Sequence, residues 1–230
     1  MNKLTRHLAM IVEIVRLPVA GLSFHSRIDP ERIPEAYRYH TKPHPKYRVI
    51  QNKSVGAALI DLKTVVSRDE YLDRIKAKNF GGHHARRARA RGYSVAEINR
   101  NEFIDEIHAI NTSVETRQGR PMENTYLQKI EQFETLPNFK YFGLLDAKGT
   151  LMAYADIAFY GNFCAFSRVL GRRNNDGIMH LLVVDIVCGL IDEGKLDYVM
   201  YDTFFGALPG LRQFKEIVGF TPYRARYSMA

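Results

Sequence analysis

Cysteine is nearly absent: Cys164 and Cys188 are the only two in 230 residues, and both sit inside apolar stretches. Two such thiols build neither a disulfide framework nor a cysteine-based zinc site, and a reducing cytoplasm is the expected compartment. No uncharged run of about 18 apolar residues occurs, which excludes an ordinary membrane-spanning helix. Internal repeats and low-complexity tracts are missing as well. Eight histidines are present, but His83-His84 and the pair His40 and His44 have no carboxylate or cysteine at ligand spacing, so no metal is expected. A motif for a covalent nucleophile is also absent.

What remains is a folded, basic chain. The 33 Lys and Arg exceed the 25 Asp and Glu by eight, with 46% hydrophobic and 25% charged residues, which suits one domain or a small pair. The first residues begin like a signal peptide, yet Glu13 and Arg16 interrupt the apolar stretch and no small-residue cleavage site follows. Leu4, Leu8, Ile11 and Val15 recur at three or four residues, the spacing of one helical face. Residues 3–16 therefore read either as a helix docked on its own protein or as a basic amphipathic helix resting peripherally on an anionic membrane.

Along the chain, residues 18–45 are rich in Pro, His and Arg without periodicity and read as irregular. Tyr47 to Gln51 and Val55 to Leu62 read as short strands around the turn-like Asn52-Lys-Ser, and Arg68 to Asn79 as a helix that Gly81-Gly82 ends or kinks. Then come four arginines within six residues, Arg86, Arg87, Arg89 and Arg91, alternating with the helix former Ala. Tyr93 to Ile98 is a strand, and Asn99 with Glu102 has capping-box spacing ahead of a helical face through Val114. A second helix is expected from about Glu123 to Glu134. The C-terminal half has the clearest signals. They give a hairpin of Tyr141 to Leu145 and Leu151 to Phe159 around Asp146-Ala-Lys-Gly149, then a third strand from Asn162 to Val169. After the polar loop 171–177 come an almost wholly apolar helix, Ile178 to Glu193, closed by Gly194, a strand from Asp197 to Thr203, a helix from Pro209 to Val218 and a last strand, Pro222 to Tyr227.

From Tyr93 onward this order of elements resembles the GNAT acyltransferase fold, an α/β architecture with a central mixed sheet flanked by helices. In that fold the loop before the long buried helix presents backbone N–H groups to a diphosphate. The resemblance places Arg172, Arg173, Asn174, Asn175 and Gly177 there as donor-binding residues, with Gly177 the one clean match to the family's loop pattern. Gly210-Leu-Arg-Gln-Phe214-Lys215-x-x-x-Gly219-Phe220 is similar to the Phe-Lys-x-x-x-Gly-Phe ending of Fem-like transferases, GNAT relatives that move an amino acid from aminoacyl-tRNA. The segment Arg86 to Val95 also looks like their basic helix. This resemblance covers residues 80–230 and implies a GNAT-like domain there, with residues 1–79 as an N-terminal extension.

The implied activity is transfer of an acyl group onto an amine acceptor by direct attack, with acyl-CoA as the conservative donor or an aminoacyl group from charged tRNA, and no metal. The resemblance makes Lys215 the leading catalytic candidate, a fixed cation near the acyl donor; the alternative is a solvated lysine on a short helix. Asp202, at the carboxyl end of its strand, is placed to accept the amine proton or bind a cationic substrate, or merely caps a turn. Tyr201 is a candidate proton donor to the leaving group, or a packed aromatic. Phe214 joins them as a substrate contact. Arg117 and Arg120 flank a glycine in the loop between the two helices that cover the substrate cleft in GNAT proteins, and suit a carboxylate or phosphate. His180 and Asp185 within the apolar helix read as structural, hydrogen-bonded groups. The run Arg86, Arg87, Arg89 and Arg91 is either a solvated face or a phosphate-binding stripe for tRNA. A competing reading is a non-catalytic protein on the same scaffold that holds RNA or an anionic membrane surface.

Overall fold

The computed structural model describes residues 14–79, 81–117, 120–205 and 207–230. The helix expected over residues 3–16 lies outside these residues except for its helical last turn, 14–16. The chain forms β1 (Val19–Phe24), α1 (Arg32–Thr41), β2 (Val55–Asp61), α2 (Arg68–Asn79), α3 (Gly81–Ala90), β3 (Ser94–Glu97), α4 (Ile104–Thr112), β4 (Thr116–Arg117), β5 (Arg120–Pro121) and α5 (Asn124–Leu127). There follow β6 (Phe139–Leu145), β7 (Leu151–Phe159), β8 (Phe163–Gly171), α6 (Ile178–Glu193), β9 (Tyr198–Thr203), α7 (Pro209–Ile217) and β10 (Thr221–Met229).

Eight strands make one sheet in the order β1-β10-β2-β9-β8-β7-β6-β3, while β4 and β5 form a separate ribbon. Two neighbour pairs run parallel, β1 with β10 and β8 with β9, and the rest are antiparallel. Residues on both sides of position 80 thus share one sheet: β2 is inserted between β9 and β10, which follow each other in the chain.

Period-two alternation distributes the core over both faces. On one face Cys164, Phe166, Val199, Ile157 and Ala155 meet Tyr71 and Ile75 of α2, Ala85 and Ala88 of α3 and the apolar α6. The opposite face carries two separate patches. Ile33 of α1 covers Leu22, Phe24, Leu59, Phe163 and Met200, and Ile107 and Ile110 of α4 cover Leu151, Tyr154 and Leu170. A β-bulge at Ser167, where Ile157 pairs with Phe166 but Asp156 pairs with Arg168, reverses the parity of β8. Even-numbered Phe166 therefore faces α6, whereas even-numbered Leu170 faces α4.

Helix α6 covers the residues its pattern predicts and ends on Gly194 in the left-handed region, whose N–H donates to Leu190 and Ile191. The earlier part of the chain departs from the reading in four places. Residues 18–45 contain β1 and α1. Tyr47 to Gln51 is a loop, touched only by the bridge between Pro43 and Gln51. The capping Asn99 caps a 3-10 turn, Arg100–Glu102, so that α4 begins only at Ile104. The helix expected to Glu134 stops at Leu127, because the backbone beyond it bonds to side chains. Asn101 takes the N–H and the carbonyl of Phe133, Arg100 the carbonyl of Glu134, and the Tyr141 hydroxyl the N–H of Leu136.

Candidate active site

The two central parallel strands part company. Pairing of β8 with β9 runs only from Phe163 with Tyr198 to Ala165 with Met200, and beyond it β8 continues to Gly171 and β9 to Thr203. The split opens at the carboxyl ends of both strands, where their backbone groups no longer pair, while Phe166 of β8 and Tyr201 of β9 still pack across it with ring centres 5.2 Å apart. Tyr201, Asp202 and Thr203 line the β9 side, and the bulged, exposed Ser167 lies on the β8 side.

Lys215 enters from α7. It is 1% exposed, so it is no solvated helix lysine. Its Nζ donates to the Thr203 carbonyl at 2.9 Å and lies 5.0 Å from the Tyr201 ring centre and 5.9 Å from that of Phe204. Burial lowers its pKa to about 8, against the favourable charge of Asp202. Helix α7 aims this lysine inward because Phe214, its neighbour, packs beside Tyr201 and His180, while Phe220 past the helix closes on Tyr201 at 5.7 Å. Tyr201 keeps its proton at any ordinary pH, its pKa driven up chiefly by burial. Asp202 is exposed, adopts φ 53° and forms an ion pair with Lys53. Aspartate is one of the few residues that tolerate this left-handed conformation. Lys53 carried no signal in the sequence, since its partner is 149 residues away.

On the other side of the split, Gly171 to Asn175 and Gly177 form, with His84 and Arg87 of α3, a cavity of about 550 Å³ at the start of α6. The positive end of the α6 dipole favours an anion there. Two arginines of the basic run hold this loop, Arg87 donating to the Asn175 carbonyl and Arg91 pairing with Asp176, while Arg89 pairs with Asp185 further along α6. The Tyr93 hydroxyl adds a bond to Asp176 at 2.9 Å. Arg86 is exposed. The run is therefore a brace for the loop as much as a free stripe. His180 stacks on His84 with ring centres 4.6 Å apart; burial lowers its pKa to about 4, and neither ring nitrogen has a hydrogen-bond partner among the described residues. The hydrogen-bonded structural role read for His180 is thus not what the site shows.

The face with α4 holds polar groups that the sequence reading passed over. Asp156 is buried in β7, and its Oδ2 accepts from Arg100 at 3.2 Å, with Arg100 lying over the rings of Tyr141 and Phe133. Desolvation raises the Asp156 pKa against the pull of Arg100 and Arg168. Arg168, opposite Asp156 across the strands, extends over Tyr126 at 5.3 Å. A lone carboxylate in the otherwise apolar run Leu151 to Phe159 was the signal available. Arg117 and Arg120 pair through their backbones in the β4-β5 ribbon; their side chains, and residues 118–119 between them, lie outside the described residues.

No protein-family model and no curated protein matches this sequence. Solved structures do. The chain superposes on FemX with a TM-score of 0.56 at 11% identity, over 82% of this chain and 63% of that one. The C-terminal domain of a putative lysylphosphatidylglycerol synthetase from Agrobacterium fabrum is similar with a TM-score of 0.48 at 13% identity, over 73% of this chain and 58% of that one. The L-PGS of Bacillus licheniformis gives 0.45 at 16%, over 74% and 60%. The chain spans about three fifths of the length of these proteins. Its fold is the GNAT-like α/β fold that the order of elements implied, in the arrangement seen in FemX.

Proposed function

We propose that this chain is an acyltransferase that moves an acyl or aminoacyl group onto an amine at the split between β8 and β9. The observation that carries the reading is Lys215, a buried cation with one hydrogen bond among the described residues, set beside Tyr201 where the strands diverge. A fixed charge in a dry, aromatic surround stabilises negative charge that develops on an acyl oxygen far more than water does. The amine nitrogen attacks the acyl carbon and a C–N bond forms as the bond to the leaving group breaks. The exposed carboxylate of Asp202 receives the amine proton, and the protonated Tyr201 supplies one to the leaving group. No covalent enzyme intermediate is needed.

The donor's phosphates belong at the start of α6, against Gly177 and the loop residues Arg172, Arg173, Asn174 and Asn175, with α3 bracing the loop through Arg87 and Arg91. Acyl-CoA and aminoacyl-tRNA both present phosphates to such a site, and tRNA would engage Arg86 in addition. Purified protein incubated with radiolabelled acetyl-CoA and, separately, with charged tRNA should transfer label to an amine pool from one of them. Transfer from neither would sink the reading.

A further inference from the structure

Between Glu35 and Asp61 the chain has no acidic residue, yet it carries Arg38, Lys42, Lys46, Arg48 and Lys53. Lys53 is held by Asp202. The other four are exposed, and no ion pair reaches them among the described residues. They share the end of α1 and the loop after it with exposed apolar side chains: Val49 is 96% exposed, Tyr47 48% and Tyr39 46%. Isolated exposed apolar residues need no explanation, but three of them within residues 38–49, interspersed with four cations that no ion pair reaches among the described residues, do.

The loop is shaped by its own bonds rather than by burial. Asn52 N–H donates to the Lys42 carbonyl at 2.7 Å and His44 N–H to the Ile50 carbonyl at 2.9 Å. The His44 Nδ1 accepts from the N–H groups of Lys46 and Tyr47, both at 3.1 Å. Asn52 ties the base to the Tyr39 carbonyl at the end of α1. Lys42 lies 4.6 Å over the Tyr39 ring and Lys46 5.3 Å over that of Tyr47. Each ammonium thus rides beside an exposed aromatic ring, with the exposed Val49 two residues after Tyr47.

We propose that this loop docks on the surface of a bilayer containing anionic phospholipid. Tyrosine rings with neighbouring ammonium groups suit the headgroup layer, where one end of the ring is apolar and the other wet. The cations match the negative surface potential, and Val49 enters the acyl boundary. A nucleic acid shares the phosphate chemistry but offers nothing to an exposed aliphatic side chain. The surface is separate from the transferase reading and stands or falls independently of it. Because Lys53 at the loop's base pairs with Asp202, a molecule held in that bilayer would approach the β9 end of the cleft.

Flotation of the full chain with phosphatidylcholine vesicles, with and without phosphatidylglycerol, tests this. Binding should appear only with the anionic lipid. Neutralising Lys42, Lys46 and Arg48 together to Ala should weaken it about a hundredfold. The chain has no tryptophan, so Val49→Trp creates a sole reporter whose emission should shift to shorter wavelength on the anionic vesicles. Circular dichroism of each variant should match the wild type, since every changed side chain is exposed. Failure of the wild type to float, equal flotation of the triple variant, an unshifted Val49→Trp emission on bound protein, or competition by RNA with no vesicle binding would each overturn the proposal.

Discussion

At the scale of single residues Lys215 stands out, because a buried ammonium costs stability. Its pKa of about 8 lies below the ordinary 10.5 because burial penalises the ammonium, a cost of about 3 kcal/mol at neutral pH. Between pH 8 and 10.5 the unfolded chain binds more protons at this position than the folded one. The penalty is therefore complete below about pH 8, and stability rises as pH climbs towards 10.5. Lys215→Met keeps the stem and removes the charge, while leaving the Thr203 carbonyl without its donor, an offset of about 1 kcal/mol. Denaturant titrations at several pH values should show the wild type gaining stability above pH 8 and the Met variant lacking that gain. The same cation, if it stabilises the transition state, makes kcat/KM fall as pH passes 8, and its loss lowers kcat about a hundredfold. Parallel stability curves with unchanged rates would remove Lys215 from the site.

The elements that hold the loop before α6 give a test that leaves Lys215 and Tyr201 in place. Gly177 has φ 85°, and a Cβ there would sit 2.7 Å from the backbone oxygen of His84, so α3 and the start of α6 approach too closely for any side chain. Gly177→Ala combines a left-handed alanine with a backbone clash and should cost about 2 kcal/mol, read as a lowered denaturant midpoint. It should raise the donor's KM several-fold with kcat little changed; an unaltered KM would separate this loop from donor binding. Legibility divides along the same lines. Helix α6, its Gly194 cap and the hairpin of β6 and β7 were readable because each is set by local periodicity and turn chemistry. Strand β1 was not, because its hydrogen bonds go to β10, some 200 residues away, and its short alternation sits among prolines. At the site, Lys215 and Phe214 were found through one short motif and Tyr201 through its place at a strand end, and the fold brings the three together. Lys53, His84 and Arg168 were not found, since each acquires a meaning only through a distant partner.

Across the whole molecule the sheet decides which parts fold together. Strand β2 occupies the slot between β9 and β10 and bonds to both, and Tyr71 and Ile75 of α2 join Val218 and Phe220 in the core behind the site. The Tyr71 hydroxyl donates to the Val218 carbonyl at 2.8 Å, fixing the turn that follows α7 and with it the direction of Lys215. Residues before 80 thus hold the β9 side of the cleft in place, although the acyltransferase-like order of elements starts after them. Without them β9 would present a bare edge next to the split, and β10 would lose both of its neighbours, a state that favours aggregation over an independent fold. A fragment of residues 80–230 should accordingly be insoluble or lack a cooperative unfolding transition. Adding residues 14–79 as a separate polypeptide should restore solubility and a single transition, because the missing contacts are those of sheet and core rather than of a linked second body. Calorimetry of the fragment alone and of the mixture reads both outcomes, and a fragment that melts cooperatively on its own would show that the division near residue 80 is a true boundary.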